Sequence, residues 1–450
     1  MGTVNTFGNV LLPAGSNTID VQSLLNTAIT AAQAPLTLLQ QQQTTVQSQT
    51  TALQSISNDV ATLNTAIQAL TTSSGALDAL DAASSNTNVL TASADSTALT
   101  GTHSIVVNSL ATTASYYTDP VASATTTLAN GSFQIAVGGG APATVTIGST
   151  DQTLNGLATA INAQNLGVTA SVITDANGAR LAIVSNTSGS SGDISITSNT
   201  TGLTFNQAAT GANASLTVDG VPVSSTSNTV VGAIPGVTLN LTGAAPGQTV
   251  SLTLAPDTNQ ASSAVSAFVS AWNQVIQDIN NQFNVSSNGT GGGPLETDNN
   301  LRDLQNQLLS AITYSISGNN GLVNLASIGV DMNTDGTLSL DSGTLTNALS
   351  GNYAALQNLL QGTSGVGTFL ANTLSQITDP TQGTIALDLQ GMSNTNDSLT
   401  QQISDMQTLI TAQTQSLTQQ YAQMAVTLQE MPQLQQQVTE QLAALTNNNG

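Results

Sequence analysis

The sequence predicts an α+β multidomain protein in which helices from both termini form a coiled coil and the chain between them is rich in β-strands. Three observations carry this. Apolar residues recur every seven positions at Leu39, Val46, Leu53, Val60 and Ile67, and Ile56, Leu63 and Leu70 each come three places behind one of the last three, as the a and d positions of a helical seam do. Near the C-terminus Ile403, Ile410, Leu417, Met424, Met431, Val438 and Leu445 keep the same period. Between the two stripes, short segments alternate apolar residues with Thr, Ser and Asn, the pattern of half-buried strands. Helices so distant in sequence pair only if the intervening chain leaves and returns at one place.

Taken in order, residues 1–18 are rich in Gly, Asn, Thr and Ser and read as mobile chain, with Asp20 or Ser23 available to cap the first helix. That helix is expected over Val21–Ala34, and Pro35 suits the first turn of a second helix reaching Thr72. Gln42 and Gln49 fill early d positions, where polar residues weaken a seam but restrict its register and partners. The period then changes to two in 88–94 and 102–110, around a turn at Asp95–Gly101. Further strands are expected at 132–137, 143–147, 168–173, 180–185 and 193–197. A helix at Thr153–Gln164 interrupts them, and a tight turn at Asn177-Gly178 closes a hairpin. A second β block occupies 214–255, with turns at Asp219-Gly220 and Pro246-Gly247. Helical periodicity returns in Ala264–Phe283, where Val265, Phe268, Val269, Trp272, Ile276 and Ile279 form one face and Trp272 is assigned to the core. A Gly-rich break at Ser286–Pro294 separates it from a helix at Asp298–Ser315. A hairpin at Asp331–Leu340 and a helix at Ser342–Leu360 lead to the terminal helices, with a break expected at Pro432.

Composition narrows the function. The 450 residues hold 24 acids against two basic side chains, Arg180 and Arg302, for a net charge of −22. Such a chain repels phosphate backbones and anionic lipid, which argues against nucleic-acid binding. No run approaches 18 consecutive apolar residues, so no membrane insertion is expected. No cysteine is present, which removes disulfides, thiolate metal sites and thiol catalysis together. Aromatics are only 3% of residues, so core volume must come from Leu, Ile, Val and Ala, and solubility from hydroxyls and amides. The first 25 residues lack a basic stretch leading into an apolar run, so a cleavable secretory signal is not visible.

Candidate chemistry is thin. His103 is the single histidine, on an alternating strand with no second imidazole or thiol to complete a dyad, and reads as structural. No Gly-x-Ser-x-Gly elbow is present. Asp331, Asn333 and Asp335, with Gly336, match the opening of a calcium loop, but position twelve is Ser342, which cannot give a bidentate carboxylate. The same residues suit a hairpin turn. No catalytic residue, cofactor or metal ligand is assigned, and the chain is not expected to be an enzyme.

Four stretches carry a resemblance. They are Ile19-Asp-Val-Gln-Ser-Leu-Leu through Ala34-Pro-Leu; Leu154-Asn-Gly-Leu-Ala-Thr-Ala-Ile-Asn-Ala with Gly167-Val-Thr-Ala-Ser-Val and Arg180-Leu-Ala-Ile-Val-Ser; Leu216-Thr-Val-Asp-Gly-Val-Pro-Val through Ala233-Ile-Pro-Gly-Val-Thr-Leu-Asn-Leu; and Ile328-Gly-Val with Asp335-Gly-Thr-Leu-Ser-Leu-Asp. Together they resemble the flagellar hook-associated protein 2 family, the filament caps of the bacterial flagellum. The third stretch is the most family-specific, and in the fourth the family uses the Asp-Gly turn structurally.

The resemblance implies a helical leg from 1–85 and 396–450, a mixed α/β domain in 258–395 with part of 70–88, and two β-rich head domains in nested insertion. The outer head takes 86–115 and 206–257 and the inserted one 116–205. It implies a homo-oligomer, commonly a pentamer, with tetramer or hexamer as alternatives. The ring stands at the distal filament tip, outside the cell, where it helps exported flagellin fold and insert. Export would proceed unfolded through the flagellar type III system without signal cleavage, and further partners would be hook-filament junction proteins and an export chaperone. The scarcity of Lys and Arg departs from relatives and argues against the inter-subunit salt bridges typical of them. Two other classes compete: another flagellar axial protein such as a hook-filament junction protein, and a secreted β-rich adhesin, for which only Tyr116 and Tyr117 would offer aromatic platforms.

Overall fold

The computed structural model describes residues 21–284 and 291–447, without the side chains of 445–447. The chain divides into two compact units, one gathering residues 1–67, 267–341 and 363–450 and the other 68–266 and 342–362. The expected Asp20 cap, the mobile 1–18 segment and most of the 286–294 break lie outside the described residues.

The first element, α1 (Val21–Thr71), is one helix that runs through Pro35 and contains Ser23. This corrects the expected division at Pro35. Proline forfeits a single backbone bond, to the Ala31 carbonyl, whereas a break would require a second costly nucleus. Few charges line this helix, and its threonines bond inward: the hydroxyls of Thr27, Thr30, Thr44, Thr50, Thr62 and Thr65 each donate to the carbonyl four residues back.

The second unit begins with β1 (Leu80–Ser84), β2 (Leu90–Ala94), β3 (Gly101–Ser109), β4 (Thr113–Thr118), β5 (Gly131–Val137) and β6 (Ala143–Ile147). After α2 (Leu154–Ala163), capped by the Thr153 hydroxyl, come β7 (Val168–Asp175), β8 (Gly178–Ser188), β9 (Ile194–Thr197) and β10 (Phe205–Ala209). The strands β11 (Ala214–Val218), β12 (Val221–Ser225), β13 (Thr229–Ile234), β14 (Val237–Leu241) and β15 (Val250–Pro256) complete it.

Two hydrophobic cores organise these strands. A five-stranded sheet, β1-β15-β3-β11-β12, and a three-stranded one, β13-β14-β2, share a core of residues such as Leu90, Ile105, Val107, Leu216, Leu239 and Leu252. In the chain between β3 and β11, the sheets β10-β4-β8-β7 and β6-β5-β9 enclose α2 residues Leu154, Leu157 and Ile161 with Phe133, Leu181 and Ile183. One β-rich head is therefore inserted within the sequence of another, as the fold class requires. Asn228 couples the halves of the outer one, accepting from the Ala111 amide at 2.7 Å and donating to its carbonyl at 3.0 Å. The β7–β8 hairpin turns at Ala176-Asn177, one residue earlier than expected, because Asp175 pairs with Gly178, whose φ of 124° favours glycine.

The remaining elements are α3 (Thr258–Phe283), α4 (Asn299–Ile312), the hairpin β16 (Val330–Met332) with β17 (Leu338–Leu340), α5 (Ser342–Gly351), α6 (Tyr353–Gln361), α7 (Val366–Ile377) and α8 (Thr384–Asn447). The single helix expected over Ser342–Leu360 is two, parted at Gly351-Asn352, where Asn352 leaves helical geometry at φ −140°. Within the second unit the break lets α6 reach back: Tyr353 donates to the Leu77 carbonyl at 2.9 Å, and Gln357 and Gln361 donate to Asp78. Burial, then the nearby Asp78 and Asp257 charges, push the Tyr353 phenol up to about 12. Within the first unit, α3 holds the β16–β17 hairpin. Buried Trp272 donates from its indole to the Gly336 carbonyl at 2.9 Å, and Asn273 exchanges two bonds with the Leu338 backbone.

Candidate assembly site in the terminal helices

In the first unit α1 and α8 lie side by side. Gln43 donates to the Thr400 hydroxyl at 2.8 Å and Gln47 to the Asn396 side-chain oxygen Oδ1 at 3.4 Å, so a rise of four on one helix is a fall of four on the other and the pair is antiparallel. The two seams differ along their length. Leu53, Ile56, Val60, Leu63, Ile67 and Leu70 are buried, whereas Leu39 and Val46, near the glutamines at 42 and 49, are half-buried. On α8, Ile403 and Ile410 are buried and Leu417 is half-buried, but Met424, Met431 and Val438 are 36%, 46% and 51% exposed. The side chain of Leu445 lies outside the described residues.

The exposed part of the α8 stripe is thus Met424, Met431 and Val438. The break expected at Pro432 is absent, and α8 continues to Asn447. As at Pro35, a solvated helix tolerates the loss of one backbone bond more readily than renewed nucleation.

The other candidates resolve into structural roles. His103 on β3 places Nδ1 2.8 Å from an Asp219 carboxylate oxygen, while the other oxygen accepts from the Ser104 amide. Asp219 sits at φ 51° in its turn with Gly220. These contacts, the His103 bond first, hold its carboxyl below the usual range. In the β16–β17 turn, one Asp335 oxygen accepts from the Thr337 amide and hydroxyl, and Asn333 donates its amide to the Thr337 hydroxyl. Asn280 of α3 takes the Asp335 carbonyl. One Asp335 carboxylate oxygen is thus committed to the turn itself. Among the described residues, no group of three His, Cys, Asp or Glu side chains is arranged to hold a metal ion. No described helix is long and apolar enough to cross a membrane.

Sequence reasoning missed two contacts that shape the first unit. The carboxyls of Asp59 on α1 and Asp278 on α3 face each other, and so do those of Asp388 on α8 and Asp298 at the start of α4. Each pair joins residues more than eighty positions apart, so periodicity carries no signal for them. The Asn273 clamp on Leu338 was also missed, since an amide on a helix announces no partner.

Comparison with known proteins agrees with this architecture. Residues 17–114 match the family profile described as flagellar hook-associated protein 2 N-terminus, and residues 211–433 match the one described as its C-terminus. B-type flagellar hook-associated protein 2 of Pseudomonas aeruginosa is 29% identical over 409 residues, covering 84% of this chain and 86% of the relative. Flagellar hook-associated protein 2 of Escherichia coli K12 is 28% identical over 337 residues, covering 68% and 70%. The crystal structure of the D1-D2-D3 domains of the flagellar cap protein FliD from Escherichia coli superposes with a TM-score of 0.59 at 27% identity, over 76% of this chain and 99% of that one. Matched in sequence at both ends and in fold between them, this chain belongs to the flagellar hook-associated protein 2 family.

Proposed function

We propose that the protein caps the distal tip of the bacterial flagellar filament and assists the folding and insertion of exported flagellin, without a chemical step. One observation carries the reading: the two terminal helices of a family member lie antiparallel in one unit, bridged at Gln43 and Gln47, with Leu53 to Ile67 of α1 buried and Met424 to Val438 of α8 exposed. A leg so graded has a buried root on α1 and an exposed apolar stripe at Met424, Met431 and Val438 of α8. The stripe offers contact to flagellin, to further copies of the chain in a ring, or to hook-filament junction proteins and an export chaperone. A pentamer is the expected ring, and the seam residues from Leu39 to Leu70 and from Ile403 to Leu445 are its proposed assembly positions. Delivery through the flagellar type III system suits a chain without cysteine.

Complementation tests this. A chain lacking 1–70 and 396–450, produced in a cap-deficient strain, should fail to restore filament growth although its β-rich heads still fold. Full filaments from that strain would remove the leg from the mechanism. Native mass of the full-length chain should be a multiple of 45.3 kDa; a monomer at high concentration would count against a ring.

A further inference from the structure

The first unit carries a pair of contacts that no assembly role requires. Asp59 is the only ionisable side chain in the 51 residues of α1, and Asp278 is the only one in the 26 of α3. The fold sets these two against each other. One oxygen of Asp59 is buried with no donor in reach, while Asp278 accepts from the Gln274 amide at 3.0 Å. A buried carboxylate oxygen facing a second carboxylate is satisfied when it carries a proton and donates it across the pair. A second facing pair, without an orphaned oxygen, lies where α8 meets α4. Asp298 caps α4, its Oδ1 accepting from the amides of Asn300 and Leu301, and the carboxyl facing it is Asp388 of α8. Both long helices are thus tied to the interior of their unit by an acid pair.

We propose that these two carboxyl pairs are proton-operated clips, closed in mildly acidic solution and opened at neutral pH, which set how firmly the terminal helices are held. The groups bearing on each are few. Asp59 meets Asp278 across the helix pair, and Asp388 meets Asp298 and the Asn300 amide. The nearest cation in sequence, Arg302, is turned elsewhere, over the Phe283 ring and to the Glu296 carbonyl. Burial first, then the facing aspartate, raise Asp59 and Asp388 from 3.8 to about 6. The native state therefore holds protons that the unfolded chain has already released, so stability falls as pH rises from about 4 to about 6 and stays low above that range. Between pH 5 and 7.5 each clip loosens its helix by roughly three- to tenfold in the opening equilibrium, allowing for solvent screening. The proposal does not depend on the capping role.

Hydrogen exchange on the full-length protein tests it, with rates corrected for intrinsic pH dependence. Protection around residues 53–67 and 384–395 should fall by that factor between pH 5 and 7.5. In Asp59→Asn with Asp388→Asn it should be pH-independent and high at pH 7.5, because the amides donate without a proton. Persistence of the full pH dependence in the double variant overturns the proposal. Carboxyl carbon NMR on wild-type protein gives a reading free of mutational damage: midpoints near 6 at Asp59 and Asp388 sustain the clips, and midpoints near 4 refute them.

Discussion

Truncating Leu63 and Val438 one at a time separates the packed root of the leg from its open end. Both lie on α1 or α8 and both are seam residues by period, but Leu63 is 0% exposed and Val438 51%. Leu63→Ala deletes three buried carbons, worth about 0.8 kcal/mol each, and leaves a cavity that the neighbouring Val60 and Ile67 cannot fill, so a loss of about 3–4 kcal/mol is expected. Val438→Ala deletes two half-exposed carbons, and alanine's better helix propensity returns a few tenths of a kcal/mol, so the net change is within about 0.5 kcal/mol. Urea unfolding of the full-length variants, monitored by far-UV circular dichroism at low protein concentration, measures both. Equal costs at the two sites would refute the graded leg. A loss below about 1 kcal/mol at Leu63 would refute the packing at its root. If the open stripe serves assembly, Val438→Asp should leave monomer stability unchanged and still reduce the oligomer fraction in analytical ultracentrifugation.

Single contacts lead to other outcomes. Asn273→Ala removes both bonds to Leu338 and strands a buried amide, which should cost about 1–3 kcal/mol and speed hydrogen exchange at Leu338 and Ser339. Gly391 lies exposed in α8 with nothing within 4 Å of an added Cβ, so Gly391→Ala should stabilise the helix by about 0.5–1 kcal/mol in thermal unfolding. The lowered Asp219 carboxyl contributes stability that is complete above the ordinary carboxylate range and is lost as pH falls through its folded value. Acid titration should therefore show Asp219→Asn less stable than wild type at neutral pH, with the gap closing as pH drops below about 4. A gap that persists at pH 2 would assign Asp219 a role other than its charge.

Much of the fold was legible because its cores are built from patterns that periodicity reads well. The face from Val265 to Ile279 announced α3 and the burial of Trp272, and the alternation in 102–110 and 180–185 announced β3 and β8. The strands β1, β4 and β10 were not announced, since Leu80-Asp-Ala-Ala-Ser and Phe205-Asn-Gln-Ala-Ala have little alternation and are fixed by their neighbours' ladders. The two prolines misled in the same way: local propensity favours an end at Pro35 and Pro432, and the long helices on either side outweigh it. For the candidate site, the heptads located the seam but not its gradient, because a period says which face is apolar and not how much partner lies opposite. The acid pairs were invisible for a deeper reason. Each depends on two residues brought together only by the packing of whole helices.

The threonine hydroxyls folded onto the backbone of α1 recur on α8, where Thr395, Thr411, Thr427 and Thr439 bond the carbonyls four residues back. A surface finished in this way owes little to ion pairing, and the excess of acids leaves mainly like-charge repulsion for electrolyte to act upon. Added salt screens that repulsion over about 10 Å at 0.1 M while hydroxyl and amide contacts are untouched. The protein should therefore hold together better, not worse, as ionic strength climbs.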